Sequence, residues 1–142
     1  MKQFFDTSVL IAAFVEDELH HSECARVVAA ATEGVVYLHG LAECFSMLTG
    51  GRLSVRLTAE SASRLLDANV AGRMEVVSLS PVDVMQVLRE SHALGIRGGG
   101  IYDALHLAAA RKAEADEIFT LNLRHFQAFA PDLSDRIKRP SA

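Results

Sequence analysis

The chain has little of what several protein classes require. Two cysteines, Cys24 and Cys44, in 142 residues are too few for a disulfide framework. There is no CxxC pair and no Cys/His spacing suited to zinc. Both cysteines fall on apolar stripes of predicted helices, where a buried free thiol is the ordinary expectation. Positive charge is not in excess: 14 Lys and Arg stand against 18 Asp and Glu, for a formal net charge of -4. Such a balance does not advertise a nucleic-acid binder, yet it leaves room for a local basic rim around an acidic centre. No apolar run approaches the roughly 20 residues of a membrane span. A secretory leader is not expected either. Lys2 precedes the apolar run Val9 to Val15, but Asp6 interrupts the stretch, Glu16, Asp17 and Glu18 follow it, and no small-residue cleavage site is evident. Internal repeats, low-complexity segments and linkers are lacking. These absences leave a soluble, cytoplasmic chain with no membrane partner as the expectation.

What is present is a globular composition. Half the residues are hydrophobic and 23% are charged, which argues against disorder. The length suits one domain over residues 1–142 with a single core. Gln3 to Phe5 reads as a short strand ending at Asp6, and Thr7 or Ser8 is placed to cap a helix through Phe14. His20 to Thr32 reads as a helix with Cys24, Val27, Val28 and Ala31 on one stripe and Gly34 as its stop. Val35 to Leu38 is a strand. Gly40 to Thr49 is a helix with Leu41, Cys44, Phe45 and Leu48 inward, stopped by Gly50 and Gly51. Thr58 caps a helix to Val70, and Glu75 to Leu79 is a strand. Pro81 opens the next helix, with Val84, Val87 and Leu88 inward and Gly95 at its end. Gly98 to Gly100 is a flexible loop, Ile101 to Ala115 a long helix and Glu117 to Leu121 a strand. Asn122 to Phe126 is a short turn, and a last strand lies around Arg136 to Lys138. Strands alternating with helices predict an α/β fold, a mainly parallel central sheet flanked by helices in an α/β/α sandwich.

Three acids stand out within that frame. Asp6, Glu43 and Asp103 each sit where a strand gives way to a helix, or early in a helix, among apolar neighbours (Phe5, Leu41, Ala42, Tyr102, Ala104). In open α/β sheets, sites form outside the carboxyl ends of the strands. Asp6 follows the first strand directly and Glu43 follows the second by a few residues. Asp103 opens a helix that returns to the start of the Glu117 strand, and Asn122 follows that strand's end. Gathered at one edge, such acids call for a hard divalent cation with oxygen ligands. Each residue also has a plainer reading. Asp6 is a good N-cap, Glu43 a solvated helix residue, and Asp103 a charge favoured near a helix N-terminus. Ser8 is either a helix-start hydroxyl or a group that holds a metal-bound water or a phosphate. His106 shares a helix face with Asp103 and reads as a satisfied, partly buried histidine. The remaining histidines show no pairing that suggests a nucleophile. The triple glycine lacks a preceding strand and any GxGxxG or GxxxxGK pattern, so a hinge fits it better than a phosphate cradle. Arg52, Arg56 and Arg97 lie in or near loops, where each reads as a solvated surface charge or as a cation able to meet a phosphate.

FFDTSVLIAAF, LAECFSMLTGGR and GGGIYDALHLAAARKAEADEIFTLN, with the HF that follows, together resemble the PIN domain, and more narrowly the VapC-type toxin ribonucleases of toxin–antitoxin modules. The resemblance runs from Phe5 to about Phe126 and is most specific from Gly98 to Asn122. It implies a Mg²⁺- or Mn²⁺-dependent endoribonuclease, a hydrolase acting on RNA, held in check by a cognate antitoxin and assembled as a homodimer. Asp6, Glu43 and Asp103 fall on three of the family's acidic positions. The implied roles are Asp6 and Asp103 as principal metal ligands, with Glu43 a ligand directly or through water, or an orienter of the nucleophilic water. A fourth position, often Asp, is Asn122 here, which bears on whether a second metal binds. Asp116 is no substitute, because it precedes the strand and five strand residues span roughly 16 Å. Two other readings remain open: a general PIN-type nuclease in RNA or DNA processing, and a degenerate PIN domain that binds without cleaving.

Overall fold

Phe4 and Phe5 are neighbours in sequence but belong to the two different halves of the core. The same split separates Val35 from Val36 and Ile118 from Phe119. Side chains alternate across a strand, so adjacent apolar residues mark strands that are covered on both faces. The computed structural model describes residues 1–141. Its elements run β1 (Gln3–Phe5), α1 (Thr7–Phe14), α2 (His21–Ala30), β2 (Gly34–Tyr37), α3 (Leu38–Thr49), α4 (Ala59–Leu66), β3 (Glu75–Val77), α5 (Pro81–Leu94), α6 (Gly100–Lys112), β4 (Glu117–Phe119), α7 (Leu123–Phe129) and β5 (Ile137–Lys138). The five strands form one sheet in the order β3-β2-β1-β4-β5, and every pairing is parallel. Phe5, Val36 and Phe119 pack with α1 to α4 on one face. Phe4, Val35, Ile118 and Ile137 pack with α6 and α7 on the other. The expected α/β/α sandwich with a parallel sheet is therefore the fold.

Several local expectations hold for the reasons that produced them. Thr58 accepts from the Ser61 amide at the start of α4. Ser80 and Asp83 form a reciprocal capping box at α5, with Pro81 in its first turn. Gly95 ends α5 in the left-handed region at φ 68°. Cys24 and Cys44 are buried free thiols, and burial pushes both upward from the ordinary thiol range, Cys24 to about 11. Asp116 accepts from the Lys2 amide at the amino edge of the sheet, as the strand geometry requires.

Other expectations are corrected. Neither Thr7 nor Ser8 caps α1. Asp6 does, by accepting from the Val9 amide. Gly34 is not a helix stop; α2 ends at Ala30 and Gly34 opens β2, where a Cβ would lie 2.8 Å from Met74. The helix after Thr58 gives way at Asp67 to a π-helical turn through Ala71. The strand that starts at Glu75 is shorter, ending at Val77. Gly100 belongs to α6 rather than to the loop. On α5 nothing is fully buried, and Leu88 is 45% exposed rather than inward. The largest difference is α7. Asn122 to Phe126 reads as a turn because the apolar residues are few, but Phe126 drops into the core and draws a helix with it.

The contrast between the last two positions is testable by urea denaturation. Phe126→Ala should cost about 3–5 kcal/mol, the range for deleting a fully buried aromatic side chain. Leu88→Ala, at an exposed position, should stay within about 1 kcal/mol. Equal costs would contradict the placement of α7.

Candidate active site

The carboxyl edge of the sheet collects the predicted residues because each element delivers one there. β1 ends at Phe5, so Asp6 is the first residue beyond the central strand. α3 starts at Leu38, directly after β2, and carries Glu43 in its second turn. α6 runs back toward the start of β4, so its first turn, with Asp103, lies at the same edge. β4 ends at Phe119, so Thr120 and Asn122 follow at that edge.

Asp6 is 3% exposed and its carboxylate is heavily bonded. Oδ1 accepts from the Ser8 hydroxyl at 2.6 Å and from the Val9 amide at 3.0 Å. Oδ2 accepts from the Thr120 hydroxyl at 2.6 Å. The plain reading of Asp6 as a helix cap and the functional one thus divide between its two oxygens: Oδ1 caps α1, while Oδ2 faces β4 and keeps a lone pair to give. Burial pushes the Asp6 carboxyl above the ordinary range, against the pull of those hydrogen bonds. Ser8 is fully engaged, since its oxygen also accepts from the Leu121 amide at 3.0 Å. It ties α1 to the end of β4.

Asn122 reaches Asp103, as its position after the strand predicts. Its Nδ2 donates to Asp103 Oδ2 at 2.8 Å and lies 3.0 Å from His125 Nδ1. The two amide protons therefore serve two acceptors, and His125 accepts at Nδ1. Burial and the nearby Asp6 charge push the Asp103 carboxyl upward. That shift records the proximity of the two acids. His125 escapes a sequence reading that lacks α7. Once Asn122 is at the start of a helix, the spacing of three puts His125 on the same side.

Glu43 is held apart from this pair by a different set of groups. Its Oε1 accepts from His106 Nε2 at 2.8 Å and from the Thr7 hydroxyl at 3.1 Å. His106 is 3% exposed, and its Nδ1 has no partner among the described residues. The Glu43 carboxylate can only accept, so His106 donates from Nε2, and Nδ1 is the ring atom left without a partner. Burial pushes Glu43 upward, but the hydrogen bonds from His106 and Thr7 outweigh it and hold the carboxyl below the usual range. Gly40, one turn before, leaves the room: a Cβ there would lie 3.1 Å from the His106 ring. His106 is thus more than a satisfied core histidine, and Thr7 joins it. The signal for His106 was its spacing from Asp103. Its partner, 63 residues away, carried no signal.

The side chains at this edge that could hold a cation, Asp6, Asp103, Glu43 and Asn122, would all offer oxygen. That set fits Mg²⁺ or Mn²⁺ rather than zinc or copper. Among the described residues, no three His, Cys, Asp or Glu side chains form a ready metal cage. Mg²⁺ commonly takes only one or two carboxylates and keeps its waters, so the open arrangement suits it.

Comparisons with known proteins identify the family. The model of the PIN domain family matches residues 4–130. Ribonuclease VapC27 of Mycobacterium tuberculosis is 35% identical over 113 residues, covering 78% of each chain. Among solved structures, VapC20 of Mycobacterium tuberculosis, a sarcin-ricin loop cleaving toxin, superposes with a TM-score of 0.66 at 20% identity over 82% of this chain and 86% of that one. A toxin–antitoxin complex from Klebsiella pneumoniae gives 0.69 at 16% identity over 98% of both. The chain belongs to the PIN domain family.

The crowding of Asp6 and Asp103 has a measurable consequence. A carboxyl raised in the fold but ordinary in the unfolded chain weakens stability above its unfolded value, and the loss fades as pH falls and both states take the proton. In excess chelator, Asp103→Asn should therefore raise the melting temperature at pH 7 by about 2–4 °C, the shift that about 1 kcal/mol produces in a chain of this length. The gap should close as pH drops toward about 4. A gap that is constant with pH would show that packing, not charge, sets it.

Proposed function

We propose that the protein is a metal-dependent endoribonuclease and the toxin of a toxin–antitoxin pair. The observation that carries this reading is the carboxylate set at one sheet edge, Asp6, Glu43 and Asp103, in a chain 35% identical to a ribonuclease. A divalent cation, when bound, supplies charge relief at the phosphoryl group and an activated water. Asp6 Oδ2 and Asp103 Oδ1 are the ligands we assign to it. Glu43, with Oε1 fixed by His106 and Thr7, turns Oε2 toward the cation or its water. Asn122 orients Asp103, and Ser8 orients Asp6. The exposed Arg52, Arg56 and Arg97 offer cations to the RNA backbone.

The partner we assign is an antitoxin that places an Arg or Lys among the carboxylates. Solved relatives that are toxin–antitoxin complexes support that assignment. A second copy is also proposed, for which exposed Val82, Met85 and Leu88 on α5 supply an apolar face. No helix among the described residues is long and apolar enough to cross a membrane, and action in the cytoplasm, where RNA is present, completes the reading.

Purified protein should cleave RNA with Mn²⁺ or Mg²⁺ and stop in excess chelator. Asp6→Asn should abolish the cleavage while leaving the far-UV circular dichroism unchanged. Induced expression without antitoxin should arrest growth, and mapping of RNA ends would then identify the target. Activity that persists in chelator, or in the Asp6 variant, would overturn the metal assignment; unaffected growth would overturn the toxin reading.

Asn122 gives a separate test. Asn122→Asp removes a donor from Asp103 and adds a third charge beside Asp6 and Asp103. It should lower the melting temperature of the metal-free protein and tighten Mn²⁺ binding in calorimetric titration. Equal Mn²⁺ affinity and stoichiometry in the two forms would place Asn122 outside the metal's reach.

A further inference from the structure

An unbroken run of aromatic rings leads from the core to the surface beside the acids. Phe4, fully buried, meets His106 edge to face at 6.0 Å. His106 meets Tyr37 edge to face at 5.4 Å. Tyr37 leans on His39 at 6.1 Å, and His39 stacks on Tyr102 at 5.6 Å with the planes 11° apart. The first three rings are buried and the last two are exposed, Tyr102 by 48%. Among the described residues no hydrogen bond engages the Tyr102 hydroxyl or the His39 ring. Both sit next to site residues. Tyr102 precedes Asp103 in the first turn of α6, and His39 lies one turn before Glu43 on α3. The stack therefore bridges the starts of the two helices that carry acids.

We propose that the His39–Tyr102 stack is a ledge that receives an unpaired base of the RNA strand whose backbone enters the acidic site. This assignment rests on the ribonuclease reading. Tyr102 is 48% exposed although its ring stacks on His39, so part of the aromatic surface stays open to a ligand. A cluster of carboxylates repels phosphate, so affinity for the strand must come from neutral contacts at its rim as well as from cations. A nucleobase is neutral and has a π-face, and base–aromatic stacking is tolerant of sequence. The buried rings beneath fix the ledge in advance, so little order is lost when a base lands on it. A base held there must be out of a duplex, and single-stranded RNA is the form in which bases are free to stack on protein aromatics. The ligand class is thus a single-stranded or looped RNA with an unpaired base within about a nucleotide of the cleaved bond.

The test uses the full chain and a short single-stranded RNA of mixed sequence, with 2-aminopurine placed at each position in turn. In an Asp6→Asn background, which prevents cleavage, fluorescence should be quenched strongly at one position. Adding Tyr102→Ala should weaken binding about tenfold or more and remove that quench. Tyr102→Phe should retain both, because the ring and not the hydroxyl is used. In the otherwise wild-type chain, Tyr102→Ala should raise KM while kcat and Mn²⁺ affinity stay close to wild type. Wild-type binding and quench in Tyr102→Ala would overturn the ledge, as would an equal loss in Tyr102→Phe. If the parent protein neither binds nor cleaves RNA while binding Mn²⁺, the ribonuclease reading itself fails, and the ledge with it.

Discussion

The structure depends on keeping one carboxylate buried at the end of its central strand. Asp6 directly follows β1, the middle of five strands, where water is excluded and an unpaired charge would be very costly. The chain meets that cost with three donors from two sides: Ser8 and Val9 from α1, and Thr120 from beyond β4. Those donors are themselves tied onward. Ser8 accepts from Leu121, and Thr120 accepts from the Asn122 amide. The position of Asn122, and through it of Asp103, is therefore set by how Asp6 is satisfied. A single buried acid thus links the central strand, the first helix, the β4 exit and α7.

The two sides of the site are built by different means. Asp6 and Asp103 lie at the same sheet edge, and both are pushed toward protonation, Asp103 in part by the Asp6 charge. Glu43 is drawn toward ionisation by the His106 and Thr7 side chains, whose hydrogen bonds occupy one oxygen only. Opposite shifts in neighbouring acids are a mark of functional sites, though ion-pair networks also produce them. Here the cause is visible. Burial raises both members of the pair and the Asp6 charge raises Asp103 further, whereas Glu43 has its own hydrogen-bond support. A carboxylate with one oxygen clamped and one free is a directed acceptor, which a freely rotating surface Glu is not.

Much of this was legible in the chain, and the remainder was hidden for definite reasons. Strand and helix periodicity placed every strand of the sheet, and the acids after β1 and early in α6 lie where the parallel topology puts them. Capping chemistry is local, so Thr58, Ser80 and Gly95 could be read directly. The Glu43–His106 bond spans 63 residues, and nothing in either neighbourhood specifies the other. Gly40 looked like an ordinary helix glycine until the ring beside it was seen. The α7 helix was missed because its formation is driven by Phe126 entering the core, a tertiary effect that overrides weak local propensity. Without that helix His125 had no register, and without α3 and α6 side by side His39 and Tyr102 were two unrelated exposed residues.

Asn at position 122 is consistent with the rest of this arrangement. An amide carries two protons on Nδ2, and the site has two acceptors within reach, Asp103 Oδ2 and His125 Nδ1. An aspartate there could serve neither without a proton of its own, and it would press a third charge on acids that already resist ionisation. The amide oxygen carries no formal charge, so it would be a weaker ligand for a cation than a carboxylate in its place. The chain thus gives up electrostatic pull on a metal and gains a fixed Asp103. With less charge at the edge, an incoming phosphate meets weaker repulsion, and neutral rim contacts can carry more of the affinity. An aromatic ledge next to a site of reduced charge is the combination that this constraint favours.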